Sequence, residues 1–245
     1  PDDHAIVFTP GYQSTQEAPL IAGGTITRIE LFPEEGWKID PDRVEAAVKP
    51  NTKYMVFNEP YNPAGTLMSH DVQQRLVDIA KKNGIYILSD EVYRLLEHDT
   101  NDRLPAIADL YDKGISAVTV SKPWGGCGIT IGWLALQDME LKTKITDMQY
   151  FATACSSRAS EIQAIMTLRA SDWILERNLK IIYQNVALLE QFIKKYEGDS
   201  KTLIWLDNLE LWQNKDVSLN RNIRMLKKAI GGGSSNLFYL VSMTG

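Results

Sequence analysis

The stretch KYMVFNEPYNPAGTLMSHDVQQRLVDIAKKNGIYILSD, residues 53–90, decides the fold. Its first six residues are an apolar run of strand length, and its last six, residues 85–90, form a second one. Between them, residues 69–84 have the amphipathic spacing of a helix, with Ser69 as its cap and Gly84 as its end. A strand, a helix and another strand in succession predict an α/β sheet with helices on its faces.

The same alternation continues on both sides of this stretch. We predict further strands at residues 5–9, 25–31, 116–121 and 129–136, and further helices at 17–24 and 40–48. From residue 157 onward the pattern is helical, and the helix predicted at 171–196 is long enough to bridge two domains. Farther on, the sequence suggests a strand in LIWLDNLELW (203–212), a basic helix in NRNIRMLKKAI (220–230) and a short strand near the end.

Composition narrows the classes of protein to consider. The 245 residues are 44% hydrophobic and carry a formal net charge of -5, which disfavours a general nucleic-acid binder. Cys127 and Cys155 are too few for a disulfide framework or a zinc site, and His4, His70 and His98 lack metal-ligand spacing. No apolar run approaches the roughly 20 residues that span a bilayer. We therefore expect a soluble, cytoplasmic protein without a metal.

Polar side chains follow three of the predicted strands, at the point where each strand ends. Asn62 lies in the turn after strand 53–58, Asp90 ends the next strand with Tyr93 just beyond it, and Lys122 follows strand 116–121. Sheets of this class place their ligands outside the carboxyl ends of their strands. An amide, a carboxylate, a phenol and an amine are therefore predicted to collect at one edge of the sheet.

Each of these residues also has a purely structural interpretation. An Asn-Pro pair often opens a turn, Asp90 can cap the following helix, Tyr93 can be a core aromatic, and Lys122 can be a surface lysine. The position of Lys122 between a buried strand and a glycine-rich turn argues for the functional interpretation, since burial frees a lysine amine for Schiff-base chemistry. Taken together, the set meets the needs of pyridoxal 5'-phosphate, which are an amine for its aldehyde, a carboxylate for its pyridine nitrogen and donors for its phenolic oxygen.

The three motifs NEPYNPAGT (58–66), SDEVYR (89–94) and TVSKPWGGCGITIGW (119–133), in this order, resemble fold type I pyridoxal-phosphate enzymes, specifically the class I/II aminotransferases. The resemblance covers roughly residues 1–195. It implies a three-layer sandwich with a mainly parallel sheet as the cofactor-binding domain over residues 1–170. An interdomain helix and a partial α+β small domain would follow over residues 171–245. It also implies a homodimer.

The resemblance implies catalytic roles for residues at the strand ends. Lys122 would form the internal aldimine and move a proton after the substrate has displaced it. Asp90 would pair with the pyridinium nitrogen of the cofactor. Asn62 and Tyr93 would bond its phenolic oxygen and so lower the pKa of the aldimine.

The resemblance also implies residues that only bind the cofactor. Thr119 and Ser121 match hydroxyls that contact its phosphate, and Tyr12 in FTPGYQS matches an aromatic side chain that stacks on the pyridine ring. Relatives carry a phosphate-binding arginine eight residues after the lysine, where this sequence has Thr130. A threonine keeps one hydrogen bond there and loses the charge.

Two further departures from the family pattern concern segments of the chain. The chain begins PDDHAIVFTP without an initiator methionine, and we expect a fragment that lacks the family's N-terminal segment and is inactive or poorly stable alone. The family's arginine for the substrate carboxylate has no recognisable context near the end of the chain. Arg221 and Arg224 lie on a helix-like stretch, and neither is given that role.

The predicted reaction is transamination between an amino acid and a 2-oxo acid. The same motifs occur in other fold type I enzymes, so a lyase, a synthase or an oxidase is an alternative, as is a non-catalytic regulatory or sensing domain. A nucleotide phosphate loop is disfavoured, because its lysine follows the glycines, whereas Lys122 precedes them.

Overall fold

A computed structural model describes residues 2–196, 204–207 and 239–242, with side chains described up to residue 191. The chain divides into two compact units, Pro1–Leu179 and Lys180–Gly245. The predicted domain boundary at residues 170/171 stays a prediction. The basic helix predicted at 220–230, with Arg221 and Arg224, lies outside the described residues.

A six-stranded sheet forms the centre of the first unit. Its strands lie in the order β2-β1-β3-β4-β5-β6, and all neighbours run parallel except β6, which is antiparallel to β5. The strands are β1 (His4–Thr9), β2 (Thr25–Glu30), β3 (Thr52–Asn58), β4 (Tyr86–Asp90), β5 (Gly114–Thr119) and β6 (Gly132–Leu136). The predicted α/β class with a mainly parallel sheet is therefore confirmed.

Helices flank this sheet and connect its strands. They are α1 (Gln13–Ile21), α2 (Pro41–Ala47), α3 (His70–Asn83), α4 (Ile107–Leu110), α5 (Met139–Thr153), α6 (Arg158–Arg169) and α7 (Ser171–Tyr196). Helix α3 begins and ends as the sequence predicts, since the Ser69 side chain accepts a hydrogen bond from the backbone of Val72 and Gly84 adopts the left-handed conformation. In the second unit, β7 (Ile204–Asp207) and β8 (Tyr239–Ser242) form a parallel pair. None of the helices in the described ranges has the length and apolar character to cross a membrane.

Two predicted strand boundaries were wrong near the glycine-rich stretch. The strand expected at 116–121 ends at Thr119, and the one expected to start at residue 129 starts at Gly132. The reason is local: Cys127–Ile129 form a short 3₁₀ turn, and Thr130 after it has a φ of 57°. Backbone in the left-handed region cannot belong to a strand.

The core lies between the central strands and the helices packed on them. Ile6, Met55 and Ile87 from β1, β3 and β4 are fully buried, and Leu76 and Val77 of α3 lie in the same cluster. Burying each such side chain contributes about 1.5–3 kcal/mol. This core fixes the register of the three strands that precede the polar residues: Asn58 lies opposite Asp90, and Asp90 lies opposite Ala117.

Candidate active site

Three chain segments meet the carboxyl edge of the sheet next to one another. They are the loop after β3, the turn after β4 and the segment after β5. Because these strands are parallel neighbours and end in register, the segments that follow them begin at the same edge. Asn62 lies in the loop after β3, and Lys122 lies in the segment after β5. Asp90 is the last residue of β4, and Tyr93 lies in the turn that follows it.

A hydrogen bond joins the predicted amide to the predicted phenol. Asn62 Nδ2 donates to the Tyr93 hydroxyl at 3.1 Å. Burial raises the pKa of Tyr93, the negative charge of Asp90 and the neighbouring phenol of Tyr12 raise it further, and the bond from Asn62 opposes them. Asn62, Asp90, Tyr93 and Tyr12 thus lie near one another, although they come from three segments: the loop after β3, the end of β4 with the turn beyond it, and the residues before α1.

Asp90 is a partly buried carboxylate at the end of β4. Burial raises its pKa to about 6, the Glu91 charge adds to the effect, and a hydrogen bond from the Val92 backbone opposes it. None of the ion pairs within residues 2–191 involves Asp90. Such a carboxylate is suited to a cationic partner from outside the chain, which would restore its ordinary pKa.

Tyr12 lies at the rim of this group. It is the residue before α1, and its side chain is 64% exposed, so that one face of the ring is open to a flat ligand. The segment that carries it is tied to the loop after β3, because the Tyr61 hydroxyl donates to the Pro10 carbonyl.

Lys122 lies two residues beyond Val120, where the backbone turns sharply. Gly125 has a φ of 65°, and its N–H donates to the Lys122 carbonyl at 3.2 Å. Only glycine adopts this conformation without strain. A Cβ on Gly126 would lie 3.0 Å from the Val120 carbonyl, a tight contact that favours glycine at this position as well.

Two contacts fix the turn that follows Lys122. Trp124 Nε1 donates to Ser171 Oγ at 2.7 Å, and Asn178 Nδ2 donates to the Pro123 carbonyl at 2.8 Å. Both partners lie on α7. The lysine therefore projects from a segment that is held at β5 on one side and at α7 on the other.

Thr119 and Ser121 form a pair of hydroxyls beside the lysine. Their oxygens are 3.0 Å apart, and Thr119 Oγ1 also donates to the Ile131 carbonyl at 3.0 Å. Ser121 therefore donates to Thr119 and keeps its own lone pairs free. Among the described contacts, neither hydroxyl nor Lys122 bonds to Asp90 or Tyr93, so their proximity rests on the strand order alone.

Thr130 is exposed and makes a local contact. Its hydroxyl donates to the Gly128 carbonyl at 3.3 Å, and its backbone is left-handed, which is uncommon for a β-branched residue. No guanidinium group stands at this position.

Sequence reasoning missed polar residues that lie directly behind the site. The Asn58 side chain contacts the backbone of both Asn62 and Asp90. Glu91 Oε1 accepts from Ser116 Oγ at 2.7 Å and from the Ile107 N–H at 3.0 Å. Its position is the signal that could have identified Asn58, because Asn58 ends β3 in the same way that Asp90 ends β4. The partners of Glu91 lie far along the chain and left no signal.

The family model for "Aminotransferase class I and II" matches residues 1–206. The chain belongs to this family. Class I and II aminotransferases depend on pyridoxal phosphate, and the side chains of this chain fit that cofactor. The described residues offer a partly buried carboxylate without an ion-pair partner among them, an amide–phenol pair, two hydroxyls and a lysine. Among the described residues, none of those assigned to the phosphate carries a positive charge, since Thr130 stands where the family pattern has an arginine.

An aminotransferase, a lyase and one solved aminotransferase structure illustrate what this chain is similar to. An aspartate aminotransferase of Thermotoga maritima is 28% identical over 183 residues, which cover 74% of this chain and 48% of that protein. An S-alkyl-thiohydroximate lyase of Arabidopsis thaliana is 32% identical over 142 residues, covering 57% of this chain and 30% of the lyase. The crystal structure of a PLP-dependent aminotransferase from Streptococcus suis superposes with a TM-score of 0.75 at 33% identity, covering 80% of this chain and 51% of that one. The chain thus spans about half the length of the Thermotoga and Streptococcus proteins.

Proposed function

We propose that this chain is the cofactor-binding part of a pyridoxal-phosphate-dependent aminotransferase, which moves an amino group between an amino acid and a 2-oxo acid. The observation that carries the proposal is Asp90, a partly buried carboxylate without an ion-pair partner among the described residues, beside the bonded pair Asn62 and Tyr93. Lys122 follows the next strand of the same sheet. When bound, pyridoxal phosphate supplies an electron sink for the carbanion formed beside the substrate nitrogen.

Lys122 and Asp90 have the central roles in this proposal. The Lys122 amine holds the cofactor through its aldehyde group and, once a substrate amine has displaced it, moves a proton at the substrate α-carbon. Asp90 accepts a charge-assisted hydrogen bond from the pyridine nitrogen and keeps the proton there.

The remaining residues bind and orient. Asn62 and Tyr93 donate hydrogen bonds to the phenolic oxygen, and Tyr12 covers one face of the ring. Thr119 and Ser121 would donate to the phosphate once their hydroxyls rotate away from the Ile131 carbonyl and from Thr119 Oγ1. Each of these roles uses a donor or a flat face that the described side chains provide.

We further propose that the protein is a cytoplasmic homodimer. None of the residues of helix α5 is buried by the part of the chain that the structure describes, and its apolar side chains Met148, Tyr150 and Phe151 are 73%, 67% and 88% exposed. Met166 on α6 is 65% exposed as well. Exposed apolar surface of this kind marks a protein contact, and a second copy is the partner we propose. The free thiols of Cys127 and Cys155 accord with a reducing compartment.

The proposed reaction is tested by turnover. The full-length protein, of which this chain is the proposed cofactor-binding part, is incubated with pyridoxal phosphate, 2-oxoglutarate and each member of a panel of amino acids, and the new 2-oxo acid and glutamate are measured. We expect both products in equal amounts for at least one amino acid, and none with Lys122→Ala. A lyase, a synthase or an oxidase would instead consume the amino acid without forming glutamate.

A non-catalytic binding domain is a second candidate, favoured by the missing guanidinium group at Thr130. The Thr130 hydroxyl already donates its proton to the Gly128 carbonyl, so the threonine that stands in place of the arginine is itself engaged in a local hydrogen bond. The same panel separates the two functions, because a sensing domain would bind an amino acid, measured by calorimetry, and release no product.

A further inference from the structure

Asn58 connects two of the proposed site residues through its side chain. Its Oδ1 accepts a hydrogen bond from the Asn62 backbone N–H at 2.7 Å, and its Nδ2 donates to the Asp90 backbone carbonyl at 2.8 Å. Asn58 is the last residue of β3 and lies opposite Asp90 in the strand register. One half-buried amide therefore spans from the loop after β3 to the end of β4.

The chemistry of the amide group explains why asparagine suits this place. An asparagine side chain offers an acceptor and a donor at once, whereas an aspartate only accepts and an aliphatic side chain does neither. The backbone reinforces the same junction, because the Glu59 N–H donates to the Asp90 carbonyl at 3.0 Å. The Asp90 carbonyl thus accepts hydrogen bonds from two adjacent residues, Asn58 and Glu59. The Asn62 backbone N–H, in contrast, has the Asn58 side chain as its acceptor.

The Asn62 loop in turn carries the amide that reaches Tyr93. Asn62 is held at its backbone by Asn58 and donates from its side chain to the Tyr93 hydroxyl. The chain of contacts therefore runs from Asp90 through Asn58 and Asn62 to Tyr93. Removing its second link leaves the Asn62 N–H without its acceptor, while Tyr61 stays bonded to the Thr66 and Pro10 carbonyls. The backbone at Asn62, and with it the direction of the Asn62 amide, then becomes less well fixed.

We propose that Asn58 is a positioning residue that fixes the Asn62 loop against the end of β4, so that the Asn62 amide stays on the Tyr93 hydroxyl. The functional meaning of this role rests on the proposed function, since it assumes that Asn62, Asp90 and Tyr93 serve the cofactor. Asn58 itself acts only through its neighbours.

Amide hydrogen exchange, followed by NMR on the cofactor-free chain, tests the first link. In Asn58→Ala the Asn62 N–H loses its acceptor, and we expect it to exchange on the order of tenfold faster than in the unchanged protein. In Asn58→Asp the acceptor oxygen remains, and the Asn62 N–H should keep its protection. Exchange at Val56, in the middle of β3, reports any general loss of stability and serves as the internal reference.

The phenol of Tyr93 tests the functional consequence. Its pKa is measured by NMR with 13C-labelled tyrosine, again without cofactor. Asp90, Tyr12 and Asn62 are the groups that act on this phenol, and only Asn62 lowers its pKa. We therefore expect the pKa of Tyr93 to rise in Asn58→Ala, and to rise at least as far in Asn62→Ala.

Asn83→Ala is the matched control. Asn83 also donates from Nδ2 to one backbone carbonyl, that of Ile79 at 2.8 Å, but it is exposed and lies at the end of α3, away from the strand ends of the site. This variant should leave both Asn62 exchange and the pKa of Tyr93 unchanged.

The outcomes separate this inference from the proposed function. Unchanged Asn62 exchange in Asn58→Ala, or a Tyr93 pKa that rises in Asn62→Ala but not in Asn58→Ala, would overturn the positioning role. Because neither measurement involves the cofactor, failure to bind pyridoxal phosphate would remove the proposed function and leave the result for Asn58 standing.

Discussion

At the scale of single residues, Asp90 shows how burial prepares a carboxylate for a partner. Its pKa is raised from 3.8 to about 6, so in the cofactor-free protein its ionisation costs free energy of folding. The unfolded chain ionises first as the pH rises from 4 to 6, and stability is lost across this window. Above pH 6 the full cost is present, and a cation on Asp90 would remove it.

The first prediction follows from this cost. Asp90→Asn should raise the free energy of unfolding of the cofactor-free protein by up to about 3 kcal/mol at pH 8 and by only about 0.5 kcal/mol at pH 4, because only the ionised carboxylate is penalised. Urea denaturation at the two pH values measures it. An equal effect at both values would show that the charge of Asp90 is not the cause.

Thr130 carries the second prediction. Thr130→Arg should bind pyridoxal phosphate on the order of tenfold more tightly, because a guanidinium group adds charge-assisted hydrogen bonds to the phosphate. Thr130→Gly is the control: it also removes the hydroxyl, and it relieves the left-handed backbone, which should stabilise the fold by about 1 kcal/mol. Equal affinities of the two variants would mean that the phosphate does not lie near this position.

At the scale of elements, the site depends on links between neighbouring strands and a helix. Glu91 lies next to Asp90, and its carboxylate ties Ser116 of β5 to the start of α4 through the Ile107 N–H. Ser116 Oγ accepts from the Ala108 N–H at 3.2 Å. Helix α4 has no cap from its own sequence, so these two side chains replace it. Glu91 thereby anchors the strand that leads to Lys122.

The third prediction tests this anchor. Glu91→Ala should lower the free energy of unfolding by about 3 kcal/mol, since it leaves buried donors on Ser116 and Ile107 unpaired. Glu91→Gln keeps an acceptor oxygen and should cost less. Thermal denaturation of the two variants gives the comparison, and equal losses would exclude the hydrogen bonds as the cause.

The sequence allowed the strand ends to be predicted because each signal was local. Apolar runs of strand length end at Asn58 and Asp90, and a polar residue after such a run is visible without any structure. The link from Asn58 to Asp90 was not predictable, because it needs the register of two strands that are 32 residues apart. The start of β6 was missed because the left-handed turn at Thr130 interrupts a run that looks continuous in sequence.

At the scale of the whole molecule, α5 and α6 carry apolar side chains that the contacts among the described residues leave exposed. Side chains such as Phe151 and Met148 lie almost fully in solvent, although the first unit has a well-packed core of its own. This surface carries the proposal of a homodimer.

The fourth prediction concerns this surface. Phe151→Asp should shift the protein from dimer towards monomer, because a charge placed in an apolar interface is costly to bury. Analytical ultracentrifugation gives the mass. Lys142→Asp, exposed on the same helix but about half a turn away from Phe151, is the control and should leave the dimer intact. A monomeric unchanged protein would contradict the proposed homodimer.

The fifth prediction addresses the central claim, that Lys122 holds pyridoxal phosphate at the carboxyl edge of the sheet. The measurement is the absorbance spectrum of the protein after addition of the cofactor and removal of the excess, with Lys122→Ala beside it. The account predicts a retained visible band for the unchanged protein, and its absence in the variant. A protein that retains no band, or a variant with the same band, would contradict the account.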